Sequence, residues 1–255
     1  MKIKGLEGPG HSNLKRLSML TDHHIKLLKD NHPKNIKKIT EISHVGKFLT
    51  ILDENIEIHK VSEKPDFILK YGTELIGLEH QVIVNEQEKE REGFFGNIFN
   101  KAETLLQQDP ELPDFLANCT LKPGIKYKLS QKDEFIEIIV RVVKTYIKTR
   151  QIIDNPLIEN ILSMKHSTKV LIPNFGAWLR VNITKELIEK AISKKEELIE
   201  AYKLNEADKQ WLLIVIGSHG QSSYDMDRDL SLSLNTKFDK VFILEDFNAE
   251  IFELK

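Results

Sequence analysis

Asp66 and Glu79 are two carboxylates joined by a stretch that reads as a β-hairpin, from Pro65-Asp66-Phe67-Ile68-Leu69-Lys70-Tyr71 through Gly72-Thr73 to Glu74-Leu75-Ile76-Gly77-Leu78-Glu79-His80-Gln81. Two short apolar runs around Gly-Thr predict a two-residue type II′ turn. That turn sets Tyr71 against Glu74, Leu69 against Ile76 and Asp66 against Glu79. Directly opposed residues hold their Cβ atoms roughly 4.5–5.5 Å apart. Two carboxylates so placed repel each other, and a divalent cation between them removes the penalty. The chemistry suggested is that of a metal-dependent active site. The same pattern also fits an exposed hairpin with charged residues on its wet face.

Period-2 alternation puts Phe67, Leu69, Ile76 and Leu78 on one apolar face and Asp66, Ile68, Gly77, Glu79 and Gln81 on the other. A one-residue slip would exchange the faces, so the apolar side helps fix the acidic pair. Gly77 lies between the two acids and leaves room for a ligand or an approaching backbone. His80 falls on the apolar side, where a satisfied core histidine is the expectation. Histidines are dense near the start of the chain (His11, His23, His24, His32, His44), but without metal-ligand spacing.

Helices must carry the remaining chemistry to this hairpin. Leu14–Leu28 reads as one helix. Asn31-His32-Pro33 interrupts it, and a second runs from about Asn35 to Leu52 with Ile39, Ile42, Val45, Leu49 and Leu52 as its apolar stripe. Glu41 sits beside that stripe, where it either reaches the sheet beneath or faces solvent. Residues 1–12 read as loop, Ile56–Val61 as a strand, Glu86–Gln108 as a helix and Phe115–Leu121 as a strand. Glu134–Arg150 carries a β-branched run, but its length favours a helix. Lys169–Leu179 reads as a strand, and Thr184 caps a helix from Lys185 to about Leu204. The Ser218–Ser223 segment reads as a loop that could line a pocket. The continuous apolar runs Trp211–Ile216 and Val241–Leu244 mark strands covered on both faces, and Glu250–Leu254 a short last one. Helices alternating with buried strands indicate an α/β fold.

The chain has 255 residues, 40% hydrophobic and 30% charged, with net charge −2, which fits a globular protein with ample core. No apolar run approaches the roughly 20 residues that span a bilayer, and no signal-peptide core opens the chain. The single cysteine, Cys119, excludes an internal disulfide framework and a cysteine-based zinc site. Cytoplasm is the expected compartment. Lys15-Arg16, Lys26, Lys29, Lys34 and Lys37-Lys38 form a basic region that reads either as a phosphate-contacting surface or as a solvated face.

The order of a helix with Glu41, a strand, Pro65-Asp66, a hairpin and then Glu79-His80-Gln81 resembles the PD-(D/E)XK nuclease superfamily. Pro65, Asp66 and Glu79 match its pattern, while Gln81 stands where lysine is usual. The matching core covers residues 35–121. Residues from about Leu187 onward resemble the C-terminal half of bacterial members. The resemblance implies a restriction-endonuclease-like central mixed β-sheet flanked by helices, with further α/β elements in the C-terminal half. With no internal repeat, low-complexity tract or convincing linker, one domain is expected over 1–255, with 1–34 as a helical extension and 122–255 packed on the same sheet. The resemblance further implies metal-dependent phosphodiester hydrolysis, with DNA as substrate and RNA as the alternative. Asp66 and Glu79 would hold Mg²⁺, or Mn²⁺ in its place, and Glu41, Asp66, Glu79 and Gln81 would form the catalytic set. Gln81 cannot supply the usual positive charge, so Lys89, Arg91, Lys194 and Lys195 are candidate substitutes. A homodimer would suit double-strand cleavage. The alternative is a catalytically inactive nuclease-fold protein that binds nucleic acid or a protein partner.

Overall fold

The computed structural model describes every residue except 8–9, 53–54, 177–179, 203–206, 218–219 and 231–233, and the side chains of 201–202. Trp178, the expected element ends at Leu179 and Leu204, and the Ser218-His219 pair lie outside the described residues. The chain divides into two compact units, one of Met1–Asn85, Arg180–His219 and Ser223–Lys255, the other of Glu86–Leu179 and Gly220–Ser222.

The first unit opens with β1 (Lys2–Gly5), α1 (Gly10–Asn31), α2 (Ile36–Leu52), β2 (Ile56–Val61), β3 (Phe67–Tyr71) and β4 (Glu74–Val82). The second unit follows, with α3 (Glu86–Gln107), β5 (Phe115–Leu121), α4 (Lys132–Thr149), β6 (Ile158–Lys165) and β7 (Val170–Asn174). The chain then returns to the first unit through β8 (Val181–Asn182), α5 (Lys185–Glu196), α6 (Ile199–Tyr202), β9 (Lys209–Ile216), β10 (Tyr224–Asp225), β11 (Lys240–Glu245) and β12 (Glu250–Glu253).

The first unit is built on a seven-stranded mixed sheet in the order β1-β12-β11-β9-β4-β3-β2. Its centre, β4-β9-β11, is parallel, and the flanking pairs are antiparallel. Alternate residues of the central strands serve two separate cores. Leu213, Val215, Phe242 and Leu244 pack with Ile42, Val45, Phe48 and Leu49 of α2. Leu212, Ile214, Val241 and Ile243 pack with Ile188, Ala191 and Ile192 of α5. Burial on both faces is why these strands read as continuous apolar runs. The expected α/β architecture, a large mixed sheet flanked by helices, is present.

The hairpin has the expected register, with Tyr71 opposite Glu74, Leu69 opposite Ile76 and Phe67 opposite Leu78. Gly72 has φ +60° and Thr73 is not in the positive-φ region, as a type II′ turn requires. A side chain at Gly72 would be strained in that conformation.

Three expectations change. Residues 1–12, read as loop, contain β1, which pairs with β12. Its side chains are largely exposed, so it lacks the apolar alternation that marks a strand. The 35–121 core is shared between the units, dividing at Asn85. Within 122–255, β6 and β7 do not join the main sheet; they flank β5 in a three-stranded sheet of their own.

In that second unit, Glu134–Arg150 resolves as helix α4. Its buried residues Phe135, Ile136, Ile139, Val142, Val143 and Ile147 follow the 3.6-residue period, which outweighs β-branching. They pack on α3 and on Phe115, Ala117, Cys119 and Leu121 of β5. Cys119 is fully buried, and burial pushes its thiol up to about 12. Native protein at pH 8 is therefore expected to leave Cys119 unreactive toward a disulfide-exchange reagent, with its one thiol titrating only in denaturant. Prompt reaction without denaturant would show that this core opens readily.

Candidate active site

Strand β4 distributes its functional residues between the two faces of the sheet. Glu79 and Gln81 pair with Leu212 and Ile214, whose side chains face α5, whereas His80 pairs with Leu213, which faces α2. Asp66 immediately precedes β3, one residue beyond the Phe67–Leu78 pair, and this brings it to Glu79. The His80 backbone N–H donates to Asp66 Oδ2 at 2.9 Å. Backbone geometry thus fixes one carboxylate against the strand that carries the other.

Helix α2 contributes from the opposite face. Asn35 Oδ1 accepts from the Lys38 N–H at 3.1 Å, as a helix cap does. Lys38 is buried, with Nζ 3.1 Å from Glu41 Oε2, 3.6 Å from Asp66 Oδ1 and 5.0 Å above the Phe67 ring. Glu41, which is also buried, therefore joins the site through Lys38.

The residue that the local motif does not contain comes from α5. Lys195 Nζ lies 2.5 Å from Glu79 Oε1. Ile188, Ala191 and Ile192 seat α5 on the sheet, and Lys195 falls on the same helical stripe, three and four residues after two of them. Lys194 is exposed. Lys89 and Arg91 belong to the second unit, where Arg91 is 3.6 Å from Glu88 and stacks on Phe175. Of the four basic candidates, Lys195 is the one found on the hairpin. The sequence held only a partial signal for it, a lysine in phase with an apolar helical stripe, which does not separate Lys195 from Lys194.

The electrostatics are those of a compact, largely dry cluster. Glu79 is only 4% exposed. Burial raises its pKa first, the neighbouring Asp66 charge raises it further, and Lys195 pulls it back down. On the other face, His80 Nε2 and His44 Nδ1 are 3.1 Å apart with stacked rings. Burial lowers both histidines, His80 to about 3. His80 is thus the expected core histidine, satisfied by its partner on α2.

On β4 two side-chain oxygens, Glu79 Oε2 and Gln81 Oε1, are buried without a hydrogen-bond donor among the described residues. Such atoms call for a donor or a cation from outside the chain. The pair Asp66 and Glu79, with Gln81 on the same face, offers the hard oxygen ligands that suit Mg²⁺ or Mn²⁺. Among the described residues no group of three or more His, Cys, Asp or Glu is arranged to hold a metal. Glu41 accordingly does not complete a carboxylate triad here.

Gly77 has a different role from the one its position suggested. A Cβ there would collide with the Gln210 side-chain amide and come within 2.9 Å of Pro65 Cγ. The space above it is filled by the protein itself, and glycine is needed for that close approach.

No protein-family model, curated protein or solved structure matches the chain. Among the described residues no helix is long and apolar enough to cross a membrane.

Proposed function

We propose that this protein is a metal-dependent nuclease that hydrolyses phosphodiester bonds, with DNA as its substrate, on a variant of the PD-(D/E)XK pattern. The observation that carries this reading is Lys195. Its ammonium sits on Glu79 beside Asp66 and so supplies the positive charge that Gln81 lacks. Asp66 and Glu79 would hold the cation, Mg²⁺ or Mn²⁺. When bound, such a cation polarises a phosphoryl oxygen and lowers the pKa of an attacking water.

The chain's own residues divide the remaining work. An ammonium has three donors, so Lys195 bonded to Glu79 keeps two for a water and a phosphoryl oxygen. As charge accumulates on the phosphate, a fixed ammonium in a buried setting stabilises it more than a solvated one would. Lys38 holds Asp66 and Glu41 in place from α2. Gln81 orients but does not titrate.

A second reading is a catalytically inactive protein of the same fold that binds nucleic acid or a protein partner. It is favoured by the ion pairs themselves, because Lys37, Lys38 and Lys195 together already balance Glu41, Asp66 and Glu79 without a metal. Incubating plasmid and single-stranded DNA with the full chain, in Mg²⁺, Mn²⁺ or chelator, separates the two. Metal-dependent cutting supports the nuclease; its absence with both ions leaves the binding protein.

Lys195→Met is expected to lower cleavage by about a hundredfold. Because Lys195 lowers the Glu79 pKa, its removal also moves the acid limb of kcat/KM to higher pH. A profile that keeps its wild-type shape and height would remove Lys195 from the mechanism.

A further inference from the structure

In the first unit, α1, the α1–α2 turn and β2 enclose a cleft of about 830 Å³. Its lining includes four imidazoles, His23, His24, His32 and His59, together with Lys38 and Lys60. His59 lies well apart in sequence from the other three, and the four form a group only in the fold.

The cleft has features of a built site. β2 is an edge strand, and its pairing with β3 jumps from Ile58–Leu69 to Lys60–Ile68, leaving His59 as the extra residue of a bulge. Bulges on edge strands re-aim side chains. His24 Nε2–H donates to the Ile58 carbonyl at 3.0 Å and ties α1 to the strand beside that bulge. The His23 and His24 rings meet edge to face at 5.5 Å. Burial lowers the His24 pKa, and His23 and His59 are near enough to lower it further.

The cleft also borders the candidate active site through Lys38. Lys38 is shared between its wall and the Asp66 and Glu41 carboxylates. Ser62, another lining residue, donates its N–H to the Asp66 carbonyl at 3.0 Å and its hydroxyl to the Pro65 carbonyl. One wall is thus continuous with the backbone that positions Asp66. A single acid, Glu63, lies among the lining residues.

We propose that this cleft binds a single-stranded phosphodiester chain and leads it to Asp66. Lysine ammonium groups meet the phosphates, and imidazole faces stack against unpaired bases, which a duplex keeps stacked inside itself. The volume is within the range of sites that enclose a small ligand, of order 300–1,000 Å³. The inference rests on the nuclease reading for what happens at Asp66, but not for binding itself.

The test is fluorescence anisotropy of a fluorescein-labelled oligothymidylate, and of a duplex of equal length, with the full chain in chelator. Wild type is expected to bind the single strand more tightly. His59→Ala combined with Lys60→Glu is expected to weaken it at least tenfold and to flatten the salt dependence, whereas Lys60→Arg alone retains binding. Both positions are exposed, so an unchanged thermal midpoint serves as the folding control. Equal binding by the double variant, preference for the duplex, or no binding of the oligothymidylate overturns the cleft assignment. Cleavage with any of these results leaves the nuclease standing, whereas binding that responds to the variant without cleavage keeps the cleft and removes catalysis.

Discussion

Glu79→Gln is expected to reduce metal-dependent plasmid cleavage by about a hundred- to a thousandfold, or ~3–4 kcal/mol of barrier. The substitution keeps the side chain's shape on β4 while removing the charge that both a cation and Lys195 require. It also removes the carboxyl that burial and Asp66 push toward protonation, so it lifts one unfavourable term from the folded state. Lys195 loses its partner but keeps 19% of its side chain accessible, and water can replace the lost contact. Activity and stability should therefore separate, with initial cleavage rates collapsing while the urea midpoint stays close to wild type. Undiminished cutting by the variant would exclude Glu79 from the active site, and a large fall in the midpoint would recast its role as structural.

The second large effect is loss of stability in acid, centred on His80. In the folded chain His80 is lowered from 6.5 to about 3, by burial first and then by His44, Lys38, Lys195 and Lys37. Between those two values the unfolded chain takes a proton that the folded chain refuses. Stability is therefore complete above pH 6.5 and is lost as pH falls toward 3, by on the order of a few kcal/mol. His44, also lowered by burial, acts in the same direction. Glu79 and Glu245 act in the opposite one. Their raised pKa values favour the folded state at low pH, and that contribution is lost as pH rises through them. Urea midpoints measured in chelator from pH 8 to pH 4 read the balance. His80→Gln can still hydrogen-bond His44 but cannot titrate, so its profile should be flatter than wild type. A variant profile parallel to wild type would assign the acid sensitivity elsewhere.

The hairpin was legible because its information is local. Two apolar runs in period 2 and a Gly-Thr turn determine which residues face each other, and the observed register follows that pattern. The covered strands β9 and β11 were legible for a related reason, since burial on both faces demands unbroken apolar runs. Helix α4 was readable once the period of its apolar residues was weighed above their β-branching. Strand β1 was not, because an exposed edge strand has little apolar pattern and its pairing partner, β12, lies at the far end of the chain.

The acidic pair belongs to the first group and its cations to the second. Asp66 and Glu79 are neighbours through strand pairing, which sequence spacing encodes. Lys195 and Lys38 reach them from helices on opposite faces of the sheet, and the chain carries 37 lysines and arginines from which spacing alone cannot select. That choice is made where Ile188, Ala191 and Ile192 lock the rotation of α5, and where Asn35 sets the start of α2. The His23–His24–His59 grouping depends likewise on an edge-strand bulge meeting α1. By itself the sequence determined most of the elements and the facing carboxylates. Only the packing of helices on the sheet decided which charges complete them, because a helix's rotation about its own axis is set by the surface it buries.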